Sequence, residues 1–123
     1  MNFELLLWLV VAHIIADWFF QNDWMARNKV RFASLAGDAH MLIHGMVTVL
    51  LLGWFTPLPD IRIVRISLLV AFTHMIIDYR FILVWWRGLI RQTTEGPAAL
   101  HVAIWQDQMA HLLVLVAIAG VLG

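Results

Sequence analysis

His13, Asp17 and Gln21 stand at intervals of four inside a run, residues 3–22, that otherwise reads as lipid-soluble. On a helix such side chains stack on one face, so an imidazole, a carboxylate and an amide point the same way out of an apolar rod. The spacing recurs three times more, in His40 with His44, His74 with Asp78, and Asp107 with His111. Pairs at i and i+4 can converge on one ion or one water, as the paired histidines of zinc-binding helices do. Six histidines in 123 residues would place one at a given offset only about one time in twenty. Yet Asp17, Asp78 and Asp107 each have one four residues away.

The donor set narrows the chemistry. Cysteine is absent, which excludes disulfides, thiolate catalysis and thiolate metal sites together. Carboxylate oxygen combined with imidazole nitrogen suits zinc, iron, manganese or cobalt better than calcium or copper(I). His13, Asp17, His40, His44, His74, Asp78, Asp107 and His111 are therefore candidate ligands for one or two divalent transition-metal ions. His40 is preferred to His44, because four pairs supply more ligands than one or two ions need. Gln21, Gln106 and Gln108 suit supporting roles, orienting carboxylates or imidazoles.

A simpler reading makes each pair a packing hydrogen bond between helices, worth about 0.6–2 kcal/mol. Against it, three buried carboxylates without counter-charge are costly, and a bound divalent ion offsets that cost. His101 stands outside the pattern and reads as an interface residue. Lys29 reads as a positive anchor at the membrane surface, although it could reach an anionic substrate.

The elements that must position these groups are membrane spans. The chain is 63% hydrophobic and 13% charged, with a mean hydropathy of +0.84. A soluble domain this small could not hide that much apolar surface. Net charge is zero, which gives no electrostatic basis for binding nucleic acid. The N-terminus lacks the basic start of a signal peptide, so the first span is expected to stay in the mature protein.

Four apolar segments, near residues 3–22, 38–55, 62–87 and 98–122, each approach the ~20 residues needed to cross the hydrocarbon core. They predict an all-α, single-domain protein over residues 1–123, with four transmembrane helices in an up-down bundle. The connection from Asn22 to Gly37 reads as a polar interfacial segment. Thr56 to Asp60 is a Pro-rich turn, and the third connection, Gln92 to Pro97, places Pro97 where a first helical turn accepts it.

Six basic residues lie in or beside the first and third connections, against Arg62 and Arg65 on the other side. The imbalance puts those connections in the cytoplasm and both termini outside. Trp18, Trp24, Trp85 and Trp86 would mark one interface and Trp54 the other, while Trp8 and Trp105 read as packing residues. Counting ~1.5 Å per residue from the cytoplasmic boundaries puts the eight candidate ligands in one layer, where a four-helix bundle can bring them to its axis.

The chain resembles a bacterial inner-membrane family known only as domain of unknown function 3307. The matching residues are His13-x3-Asp17-x3-Gln21, then Asp23-Trp24-Met25-Ala26 through Lys29, His40, His74-x3-Asp78, and Asp107-Gln108-x2-His111. That family is similar in pattern to small bacterial membrane proteins named as metal-dependent hydrolases, and the similarity implies a membrane hydrolase.

The leading expectation is thus a metal-dependent hydrolase at the cytoplasmic leaflet, acting on a lipid or lipid-linked ester or phosphoester. His13, Asp17, His74 and Asp78 would form one ion site, and His40, Asp107 and His111 would complete it or hold a second ion. Metal-bound water would be the nucleophile, and Asp107, left unligated, the general base. Three alternatives stand beside it. One is an accessory subunit of a larger membrane complex, or a homo-oligomer, with the polar core as a staple. Another is ion or proton translocation, and the last is haem held by His13 and His74.

Overall fold

A computed structural model describes residues 2–31, 33–92 and 95–123. Its elements are α1 (Phe3–Trp18), α2 (Asp23–Asn28), α3 (Leu35–Phe55), α4 (Asp60–Asp78), α5 (Phe81–Leu89) and α6 (Pro97–Leu122). Among the described residues there is no strand.

Side-chain caps explain most of the boundaries. Asn2 starts α1 by accepting the Leu5 N–H at 3.0 Å. The first helix was expected to run to residue 22 but ends at Trp18. The reason is local competition, because Asn22 caps α2 by accepting the Met25 N–H at 2.9 Å. An N-cap residue must be extended, as Asn22 is at φ −98° and ψ 172°, so α1 has to unwind before it. α2 occupies the expected interfacial segment, and none of its residues is buried. Ser34 accepts the Gly37 N–H at 3.1 Å and so starts α3 at Leu35, three residues before the expected start at 38. Pro97 sits in the first turn of α6, where its missing N–H costs nothing.

The segment 62–87 is not one helix. α4 stops at Asp78 and α5 departs from it at 53°. Between them Arg80 adopts φ 56°, a left-handed conformation that costs a residue with a Cβ about 1–2 kcal/mol. Neither glycine nor proline marks the break. The contact that accompanies it is tertiary, with Arg80 Nε 4.0 Å from Asp107 Oδ1 on α6. Thr93 and Thr94 of the third connection lie outside the described residues.

α3 and α6 are long and apolar enough to cross a membrane, and α4 with α5 makes a third span if the bent pair counts as one. The 16 residues of α1 reach about 24 Å, less than the ~30 Å hydrocarbon core. Two or up to three helices among the described residues are thus apolar and long enough to span a membrane, not clearly the expected four, as suits a membrane protein with one short helix.

α1, α3, α4 and α6 pack as a closed ring, α1 on α3, α3 on α4, α4 on α6 and α6 on α1. The Asn2 N–H donates to Ala119 O at 3.3 Å, and the Arg62 guanidinium donates to Leu122 O. The N-terminal ends of α1 and α4 thus share one end of the ring with the C-terminal end of α6. Toward that end the core is apolar, with Leu5, Leu9, Leu52, Ile66 and Leu115 buried. Trp8 packs there, its ring stacked on Phe55 at a centroid distance of 4.2 Å.

Trp105 does not pack. It is exposed on α6, as are Trp18, Trp24, Trp54, Trp85 and Trp86 on their own segments. α3 and α4 lie close at Gly45, where a Cβ would stand in ordinary contact 3.5 Å from Ala71 Cβ. Toward the other end of the ring the core turns polar.

Candidate metal centre

The last two turns of α1, the first half of α3, the last two turns of α4 and the middle of α6 meet beneath the α2 turn. They bury His13, Asp17, His40, His44, His74, Asp78, Asp107 and His111 together. Helical spacing supplies each pair, and the ring of helices aims all four pairs inward.

Six of the eight fall into two overlapping groups of metal-ligand atoms. One is Asp17, His40, His44 and His74, and the other is His74, Asp78 and His111, with the atoms of each group within 4.8 Å of one another. In the first group Asp17 Oδ1 lies 3.0 Å from His40 Nε2, 3.1 Å from His44 Nε2 and 3.6 Å from His74 Nε2. His40 Nε2 and His74 Nε2 are 3.1 Å apart. A tetrahedral ion with bonds near 2.0–2.1 Å sets its ligands about 3.3–3.4 Å apart, so these donors already have the spacing of a coordination shell.

Hydrogen bonding alone accounts poorly for the crowding. A ring nitrogen makes one hydrogen bond, as donor or as acceptor. His40 Nε2 has Asp17 Oδ1, His74 Nε2 and Lys29 Nζ all within 3.0–3.1 Å. Nδ1 of His40 and of His44 is buried without a hydrogen-bond partner among the described residues. In both rings it is Nε2 that is committed to the cluster.

The second group shows how an imidazole is oriented. His111 Nδ1 donates to the Asp107 carbonyl oxygen at 2.8 Å. A carbonyl only accepts, so Nδ1 holds the proton and Nε2 carries the lone pair, the arrangement usual for metal-ligating histidines. His111 Nε2 is buried without a hydrogen-bond partner among the described residues and lies 3.9 Å from Asp78 Oδ1. Asp78 Oδ2 is 3.2 Å from His74 Nε2.

His13 and Asp107 stand beside the groups, outside both. His13 Nε2 is 3.5 Å from Asp17 Oδ2 and 3.4 Å from Gln108 Oε1. Gln108 donates to Asp17 Oδ2 at 3.5 Å and to Asp107 Oδ2 at 3.4 Å, so one amide links α6 to the α1 pair. His44, ranked below His40 on sequence, lies in the same group as His40. Gln21 Oε1 is buried with no hydrogen-bond partner among the described residues, and Gln106 donates to Gln92 Oε1, away from the cluster. His101 is exposed on α6.

Lys29 is the residue that sequence reasoning misplaced. Its expected position was the membrane surface, yet it is only 6% exposed. Its ammonium sits 3.1 Å from Asp78 Oδ1, 3.1 Å from His40 Nε2 and 3.8 Å from Asp17 Oδ1. One signal was available, since Lys29 is the single lysine among eight basic residues. A surface anchor has no need to be lysine, whereas a compact ammonium on a flexible stem suits a crowded pocket. A cavity of about 10 Å³ bordered by His13, His74 and His111 has room for about one water molecule.

Fold and site together define a helical, membrane-type bundle with a buried histidine–aspartate centre whose atoms can hold a metal ion. The chain belongs to the DUF3307 family, described as protein of unknown function, whose model matches residues 5–122. No curated protein and no solved structure matches it.

Proposed function

We propose that this chain is a metal-dependent hydrolase of the bacterial inner membrane, acting on a lipid or lipid-linked ester or phosphoester. In this reading the bundle crosses the bilayer four times, with the short α1 and the bent α4–α5 pair each counted as one span. The termini lie outside and the metal centre lies near the cytoplasmic face. The observation that carries the metal reading is the set of four donors, Asp17, His40, His44 and His74, within 4.8 Å of one another, with Asp17 Oδ1 3.0–3.6 Å from all three imidazole nitrogens.

When bound, a divalent ion of zinc, iron or manganese supplies Lewis-acid activation of water or of a carbonyl or phosphoryl oxygen. The protein supplies the rest. Asp107 is outside both ligand groups, and its Oδ1 is buried with no hydrogen-bond partner among the described residues. It is the carboxylate left to take a proton as general base. The water-sized cavity beside His13, His74 and His111 gives the nucleophile a place.

A lipid substrate is supported by a groove of about 700 Å³ on the outer face of α3 and α4, lined by apolar residues such as Met41, Leu42, Met46 and Phe72. Met41 follows His40 directly in sequence, so a hydrocarbon chain in this groove would bring its polar end to the level of the centre. The other reading, an accessory subunit with a purely structural polar core, draws on the ion pair of Lys29 with Asp78. That pair supplies some counter-charge without any metal.

Metal content of detergent-purified, chelator-free protein separates the two readings. Near-stoichiometric zinc, iron or manganese in the wild type, lost in Asp17→Ala and His74→Ala while both stay monodisperse, supports the metal centre. It also justifies a screen against lipid esters and phosphoesters. A well-folded wild type without metal overturns the hydrolase reading.

A further inference from the structure

We infer that the centre takes one transition-metal ion per chain, and that the Lys29 ammonium holds the Asp78 carboxylate that a second ion would need. The inference rests on the metal reading above and fixes the ion count that the ligand inventory left at one or two. The two ligand groups share His74, whose Nε2 faces both, 3.6 Å from Asp17 Oδ1 and 3.2 Å from Asp78 Oδ2. A neutral imidazole nitrogen offers one lone pair and so ligates one ion. With His74 committed to Asp17, His40 and His44, a second ion would depend on Asp78 and His111, with water completing its shell. Asp78 is already engaged by Lys29 at 3.1 Å.

Charge leads to the same count. Asp17 and Asp78 are the carboxylates that Lys29 reaches. One divalent ion beside the ammonium sets three positive charges against the three buried carboxylates, these two and Asp107. A second ion would set five against three in a buried site, where uncompensated charge is most costly. On loading, the lone pair of His40 passes from the ammonium to the ion, and Lys29 stays on Asp78.

The position of Lys29 is built rather than incidental. It follows α2 directly, and Ser34 Oγ fixes that turn by donating to Asn28 O at 3.0 Å while accepting the Gly37 N–H at 3.1 Å. At Gly37 the absent side chain makes room, since a Cβ there would stand 3.3 Å from the Lys29 carbonyl oxygen. A six-residue helix with no buried residue of its own is thereby pinned against α3, with its one following lysine turned into the core. In two-ion hydrolases the second ion contributes positive charge across the reacting group. Here a tethered ammonium contributes it without ligand exchange.

The test counts ions on the full-length protein in detergent, loaded with excess zinc and then desalted, for wild type, Lys29→Gln and Lys29→Arg. The expected values are one zinc per chain in wild type and in Lys29→Arg, rising toward two in Lys29→Gln. The added equivalent should disappear again in Lys29→Gln/His111→Ala. Two zinc ions in wild type, or one in a monodisperse Lys29→Gln, would overturn the inference and leave the metal reading intact. No zinc in wild type overturns both. If Lys29→Gln does not fold, His111→Ala alone decides, because it should keep one zinc, and its loss would reject the assignment of the ion to the Asp17 group.

Discussion

Asp17 Oδ1 lies 3.0 Å from His40 Nε2, although the two residues sit in different helices with the whole α2 turn between them. The carboxylate comes from the next-to-last residue of α1 and the imidazole from the second turn of α3. Their meeting is what turns two helical pairs into one candidate shell, and it separates residues placed to hold an ion from residues beside them.

His44 and His13 should therefore behave differently. His44→Ala removes a donor from the Asp17 group and is expected to abolish stoichiometric metal. His13→Ala removes a neighbour of Asp17 Oδ2 and is expected to weaken binding by about 10–100-fold, as loss of a supporting partner does. Zinc affinities by competition with a chromophoric chelator give the comparison. His101→Ala, on the exposed face of α6, should match wild type.

At Gly37 a methyl group would meet Ser34 Oγ at 3.1 Å and Lys29 O at 3.3 Å, whereas at Gly53 nothing lies within 4 Å. Gly53→Ala is expected to stabilise by roughly 0.5–1 kcal/mol through helix propensity. Gly37→Ala should forfeit that gain and reduce stability, because the Lys29 turn must lift off α3. Thermal unfolding of both variants in the same detergent shows the difference in sign.

Arg80 holds a left-handed conformation and a long ion pair with Asp107 in which the arginine side chain is 47% exposed. An exposed pair of this kind contributes about 0–1 kcal/mol, similar to the backbone cost that glycine would relieve. Arg80→Gly is expected to leave the melting temperature close to wild type. Arg80→Val, which loses the pair and keeps the strain, should fall below Arg80→Gly by about 1–2 kcal/mol, the strain that glycine relieves. Equal melting temperatures for the two variants would show that the break between α4 and α5 does not depend on this residue.

The apolar and polar layers should also separate. Leu9 is fully buried and Leu113 is 68% exposed. Leu9→Ala is expected to cost about 2–5 kcal/mol by leaving a cavity, and Leu113→Ala close to nothing. Metal content in folded Leu9→Ala should equal wild type, since Leu9 lies one helical turn from His13 on the side away from the ion. Unfolding and metal analysis of one preparation check both.

The sequence by itself determined the all-helical character, through its apolar segments, and the identity of the polar core, through four pairs at a spacing that only a helix turns into a common face. It also carried the family, whose motifs include residues of those pairs together with Gln21 and the stretch from Asp23 to Lys29. Where two local signals competed, the stronger one was still readable in the chain. Asn22 is an N-cap by residue type, and a capped α2 requires α1 to stop.

What only the tertiary structure decided are relations between helices. The division of eight candidates into two overlapping groups depends on how α1, α3, α4 and α6 are rotated about their axes, and i, i+4 spacing is silent on rotation. The break at Arg80 carries no glycine or proline signal and goes with a contact to α6. Lys29 shows the difference most clearly. In sequence it is one positive charge in a polar connection, and a positive charge normally seeks water. Packing of the α2 turn against Gly37 carries it inward, where Asp78 and Asp17 offer compensation that no local pattern could announce.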